Sequence, residues 1–184
     1  MKNLFLLLSF LGIQFSSYSQ ETPIPDFAKR PFILTEDLEL IDFERLVAVV
    51  DFKIKGMGYG GSEIYYSVTP SKSLKRYPLS NLPRFVIKTE PNQDPSEVIY
   101  LSKAFEVNSK RRRFLTSKMS MTGKSKEVVS QFIQIDFKKL TTDVYEIIIV
   151  DPIGNGEFAF IPFDTDDSAR NMGGKVFINC FGVD

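Results

Sequence analysis

Apolar residues recur at every second position through most of this chain, in short runs separated by turn chemistry. Period two is the signature of strands, because successive side chains of a strand point to opposite faces of a sheet. Such runs cover 38–43, 45–55, 62–68, 84–89, 97–101, 114–121, 127–138, 144–150, 157–161 and 175–181. Ile133, Ile135 and Phe137 alternate strictly, and 144–150 is apolar on both faces, as a central strand would be. The separators are rich in Gly, Pro, Asn and Asp, among them Pro91-Asn92-Gln93-Asp94-Pro95 and Gly154-Asn155-Gly156. About ten short strands at this spacing predict an all-β fold. The expected form is a two-sheet antiparallel sandwich, immunoglobulin-like or jelly-roll-like. Its core is expected to hold Leu46, Val50, Ile64, Phe85, Ile133, Ile135, Ile147, Ile149, Phe158, Phe160 and Ile178.

The start of the chain has a different character. Lys2 precedes the apolar run 4–13, and Ser17 and Ser19 are small residues at the two positions a signal peptidase reads. Residues 1–19 are therefore expected to be a signal peptide. Residues 20–36, with three prolines between 23 and 31, read as an extended lead-in, and 37–184 as one β-sandwich domain. The apolar run is too short to span a bilayer, which takes about 20 residues, so no transmembrane span is expected in the mature chain. The expected location is exported, periplasmic or extracellular. Cys180 is the only cysteine, so there is no intramolecular disulfide. Its alternation with Val176 and Ile178 marks it as a small core residue.

No histidine is present, which removes the usual general base, the usual zinc ligand and the usual pH switch. Formal charge balances at 23 basic and 23 acidic residues, but it is unevenly placed. Residues 20–51 hold eight acids and three bases, 52–142 seven acids and seventeen bases, and 143–184 eight acids and two bases. Terminal strands of a sandwich often lie beside middle ones, so the segments are expected to compensate each other.

Three motifs bear on chemistry. Gly56-Met57-Gly58-Tyr59-Gly60-Gly61 matches G-x-G-x-x-G, but a strand pattern follows where a dinucleotide site needs a helix, so it reads as a hairpin loop. Asp164, Asp166 and Asp167 offer oxygen ligands; an EF-hand would require Gly and Glu where Ala169 and Lys175 stand, which leaves them weak metal candidates. Lys110, Arg111, Arg112 and Arg113 open an acid-free stretch and are the candidates for an anionic partner, lipid headgroups or acidic glycans ahead of nucleic acid. No cofactor is expected, and no residue has a context that marks it as catalytic.

The segment YEIIIVDPIGNGEFAFIP, with PRFVIKTEPNQDPSEVIYLSK, the arginine run and the ending VFINCFGVD, resembles a group of uncharacterised exported proteins of Bacteroidetes-type bacteria that carry a GEYAF-like strand. The resemblance spans roughly residues 84–184, with Phe158 in place of the commoner Tyr. It implies a β-sandwich and export, and supplies neither an activity nor site residues. The leading expectation is a non-catalytic binding or assembly module of the periplasm or cell envelope, with an envelope protein or glycan as partner. A carbohydrate-binding module using exposed Tyr59, Tyr65 and Tyr77 is one alternative. A small glycoside hydrolase built on paired carboxylates is the other.

Overall fold

A computed structural model describes residues 22–54, 61–119, 125–127, 132–163 and 175–184. The expected signal peptide, the glycine-rich run before Gly61, and Asp164, Asp166 and Asp167 lie outside the described residues. In chain order the strands are β1 (Pro31–Leu34), β2 (Leu40–Asp42), β3 (Glu44–Ile54), β4 (Ser62–Val68), β5 (Arg76–Tyr77), β6 (Arg84–Lys88), β7 (Ile99–Lys103) and β8 (Glu106–Val107). They continue with β9 (Arg112–Met119), β10 (Ser125–Glu127), β11 (Phe132–Ile133), β12 (Ile135–Thr141), β13 (Val144–Ile149), β14 (Gly156–Pro162) and β15 (Lys175–Val183). No helix among the described residues is long and apolar enough to cross a membrane.

The strands form two antiparallel sheets packed together, the all-β sandwich the alternation predicts. The smaller sheet runs β12-β13-β6-β1-β2, and the larger runs β10-β9-β4-β3-β15-β14-β7-β11. The core between them is built on phenylalanine. Phe43, Phe85, Phe158, Phe160 and Phe181 are all buried, with ring centroids 5.2–6.0 Å apart in their tilted, stacked and edge contacts.

The larger sheet also rolls back on itself. Lys103 of β7 pairs with Phe158 of β14, and three residues later Glu106 of β8 pairs with Arg113 of β9. The roll encloses a second core of Ala48, Val50, Tyr66, Phe114, Ile161 and Ile178 with their neighbours. β14 thus sits between two cores. Phe158 and Phe160 face the smaller sheet, while Ala159 and Ile161 face into the roll. Strict alternation explains both faces, since each parity of β14 is apolar and each finds cover.

The structure departs from the sequence reading in three places. The stretch read as a lead-in contains β1, whose four residues are all buried and which pairs with β2 and β6. Pro31 stands at the first position of the strand, where a missing N–H is tolerated. The run 127–138 is divided. Phe132 and Ile133 pair with β7 in the larger sheet, and after Gln134 the chain enters the smaller sheet as β12. Alternation survives such a crossing, so it cannot reveal it. The run 144–150 is not covered on both faces: Ile147 is buried, but Ile148 and Val150 are 41% and 50% exposed. β13 lies next to the edge strand β12, and the outer face of the sheet is open there. Of the expected core, Leu46, Ile64, Ile133, Ile135 and Ile149 are only partly buried, packed at the margins of the two clusters.

Candidate functional site

One end of the roll is closed by charge. Arg112 opens β9, Glu44 opens β3 and Glu157 follows Gly156 at the start of β14, so the register brings all three to the same end. The Arg112 side chain is 0% exposed. Its Nη2 donates to Glu44 Oε2 at 2.9 Å, and its Nη1 donates to the Pro70 carbonyl at 3.1 Å and lies 3.5 Å from Glu157 Oε2. The two carboxylates then reach the 69–83 connection. Glu157 Oε2 accepts the Ser73 amide at 2.8 Å, and Glu44 Oε2 accepts the Leu74 amide at 3.2 Å.

Arg76 extends the cluster to the last strand. It donates to Glu157 and, through Nε and Nη2, to both carboxylate oxygens of Asp184 at 2.8 and 2.5 Å. This fork is the main reason the Asp184 carboxyl is held below the usual range. The guanidinium lies over the backbone of Gly182, where any Cβ would collide with it. β5 pairs in parallel with the end of β15, so the connection is tied to the roll by backbone as well. Cys180 lies inside the roll beside Arg112. Burial dominates and pushes its thiol up to about 12, so it is an inert packing group at neutral pH.

The four residues of the basic run therefore do not share a surface. Lys110 is exposed in the turn before β9, where Asn108 Oδ1 accepts its amide and that of Arg111 at 3.0 and 2.9 Å. Arg111 and Arg113 point to the side opposite Arg112. Arg113 pairs with Asp51 at 2.7 Å and Glu106 at 2.9 Å, and Arg111 reaches the same Asp51 at 3.1 Å. The expected charge compensation is visible in these pairs. Bases of the middle segment, Arg76, Arg84, Arg111, Arg112 and Arg113, meet acids of the terminal segments, because β3 lies beside β4, β13 beside β6 and β15 beside β5. Arg84 also holds the Glu146 carboxyl down.

A second feature lies on the smaller sheet. The turn between β6 and β7 and the β12–β13 hairpin border an open cleft of about 410 Å³ lined by Asn92, Gln93, Asp94, Pro95, Lys139, Asp143 and Tyr145. Asn92 and Asp143 hold the two turns with positive φ of 63° and 58°, a conformation these residue types tolerate best after glycine. The Thr89 amide donates to the Asp143 carbonyl at 2.8 Å and joins the turns. Asp94 Oδ1 accepts from the Ser96 amide and hydroxyl at 2.9 and 2.7 Å, and this holds its carboxyl below the usual range. Gln93 Oε1 is buried with no hydrogen-bond partner among the described residues. The walls thus present amide, carboxylate, ammonium and phenol groups on a framework fixed by turns.

The other candidates are placed as follows. Tyr65 is 0% exposed, donates to Glu63 Oε2 at 2.6 Å, and has a phenol pushed up by burial and by that carboxylate. Tyr77 is half-buried, and Tyr59 lies outside the described residues. Tyr65 and Tyr77 are therefore not two fully exposed rings of a stacking strip. Among the described residues no three His, Cys, Asp or Glu side chains converge on a metal-sized site. The sequence reading missed the cleft and the burial of Arg112. A signal for the latter exists: Arg112 stands two residues before Phe114, on the strand face that enters the roll. Nothing comparable marks the cleft, whose two halves are about 50 residues apart in the chain. Compared with known proteins, the chain matches no family model, no curated protein and no solved structure.

Proposed function

We propose that this protein is a non-catalytic binding module of the cell envelope that takes a short or terminal unit of a glycan in the cleft on its smaller sheet. The carrying observation is that cleft, with Asn92, Gln93, Asp143, Lys139 and Tyr145 converging on one polar volume. Vicinal hydroxyls both donate and accept, so they suit walls that mix amides, carboxylates and an ammonium. Gln93 adds to those walls a side-chain amide, which can both donate and accept. The Tyr145 ring supplies an apolar face of the kind that packs on a sugar ring. Export and the envelope setting rest on the leader and on the GEYAF-like resemblance.

The non-catalytic reading rests on the state of the acids. Glycoside hydrolysis needs one carboxyl held protonated beside one held ionised. Asp94 is engaged by Ser96 and shifted downward, the wrong direction for a general acid. Glu44 and Glu157 face each other across a guanidinium inside the protein, where no substrate enters.

Titration of the ¹⁵N-labelled protein with oligomers of N-acetylglucosamine and of neutral and acidic hexoses tests this. Shifts are expected to cluster at 92–95 and 139–145 for at least one of these. Gln93→Ala and Tyr145→Ala are each expected to weaken that binding about tenfold, the loss of one hydrogen bond or one packed ring. Shifts at neither segment with the whole set would overturn the site, and release of reducing sugar would overturn the non-catalytic reading.

A further inference from the structure

Leu74 is 82% exposed, the most exposed of the large apolar side chains among the described residues. Its exposure is not that of a slack loop. The Ser73 and Leu74 amides are held by the buried carboxylates of Glu157 and Glu44, and the Lys75 carbonyl accepts the Gly182 amide at 2.8 Å. Three consecutive residues are thus fixed to the closed end of the roll, and the backbone cannot fold the leucine back onto the protein. Lys72 and Lys75 flank it, both exposed. Lys72 lies close enough to Asp184 to add to the pull of Arg76 on that carboxyl, and Lys75 stands outside the ion pairs described above.

We infer that the segment 72–75 is a contact point for an anionic lipid surface, with Leu74 entering the interfacial layer and Lys72 and Lys75 facing the headgroup phosphates. The geometry favours a lipid surface over a protein. A stable protein interface covers about 800 Å² on each partner around a central apolar anchor. Here the 69–83 connection exposes Leu74 and, to 42%, Leu79, among exposed Thr69, Pro70, Pro78, Ser80 and Asn81, which is two leucines of one loop rather than an apolar patch around an anchor. A bilayer surface asks only for an apolar projection with cations behind it. Pre-fixing the backbone removes part of the ordering cost of such a contact. One leucine and two lysines make it weak and reversible.

The chain contains no tryptophan, so Leu74→Trp provides a unique fluorophore at the point of contact. Its emission is expected to shift to the blue, and to be quenched by brominated acyl chains, on adding vesicles of equal parts phosphatidylglycerol and phosphatidylcholine at low salt. Adding Lys72→Glu and Lys75→Glu is expected to raise the half-saturating lipid at least about tenfold, as is the move to physiological ionic strength. A control Lys138→Trp on β12 is expected to stay unquenched, which separates this contact from any vesicle binding through the leader. Emission from position 74 that ignores the vesicles overturns the inference, as does equal quenching by anionic and by pure phosphatidylcholine vesicles. A shift produced only by an added envelope protein overturns it in favour of a protein interface.

Discussion

Replacing Arg112 with Ala is expected to cost about 3–5 kcal/mol, because it leaves Glu44 and Glu157 buried without their shared cation. The arginine side chain is fully enclosed, and both carboxylates are nearly so. Removing one member of a buried ionic cluster is far worse than never having built it, since the remaining charges keep their desolvation cost. The neighbouring arginine provides the contrast. Arg111→Gln is expected to stay within about 1 kcal/mol, since that side chain is 41% exposed and Asp51 retains Arg113. Urea denaturation of both variants measures the difference. Coupling Arg112→Met with Glu44→Gln is expected to be less damaging than Arg112→Met alone, because the amide neutralises one stranded charge and can still accept from Leu74. Equal small losses at 111 and 112 would mean that the cluster is hydrated and that Arg112 is an ordinary surface residue.

Phe181→Ala is expected to cost about 3–5 kcal/mol, the loss of a large ring from a packed core. Phe181 touches Phe43, Phe85, Phe158 and Phe160 at the centre of the inter-sheet core. Phe177 lies on the same face of β15, four residues earlier, yet is 49% exposed, with Arg45 4.3 Å above its ring. Phe177→Ala is expected to cost under about 1 kcal/mol, mainly a cation–π contact and partial burial. The two positions read identically in sequence and differ only in whether the smaller sheet covers them. Similar thermal shifts for both variants would contradict the packing of the two sheets described here.

That pair shows where the sequence stops being informative. Alternation assigns each residue of a strand to a face, but it does not say which stretch of that face is covered. It therefore marks Phe158, Phe160 and Ile178 well, leaves Phe181 out because it lies on the face opposite Ile178 and Cys180, and overrates Ile148, Val150, Ile135 and Ile149 at the uncovered margins. It finds most of the strands and misses β1, because prolines obscure a strand whose four residues all pack inside. The roll of the larger sheet is invisible to it, since closure depends on where β7 bends toward β9.

Charge behaves similarly. The segment totals anticipate compensation between the ends and the middle of the chain. The partners emerge only when the register sets Glu44, Glu157 and Arg112 at one end of the roll. Within three successive arginines, strand parity separates a buried cation from two outward ones. The cleft was not legible at all, because Gln93 and Tyr145 meet only through the pairing of β6 with β13.

Arg112 and its two carboxylates hold the 69–83 connection against the roll. Hydrogen exchange at the Ser73 and Leu74 amides measures that directly, residue by residue. Both donate to buried carboxylates, so they are expected to exchange as slowly as the amides of β14 and β15, opening only with the whole fold. The Lys110 amide, bonded to Asn108 in an exposed turn, is expected to exchange far faster. Exchange of Ser73 and Leu74 at the Lys110 rate, with β14 and β15 still protected, would contradict the account: the connection would open freely, and the leucine it carries would not be held in place.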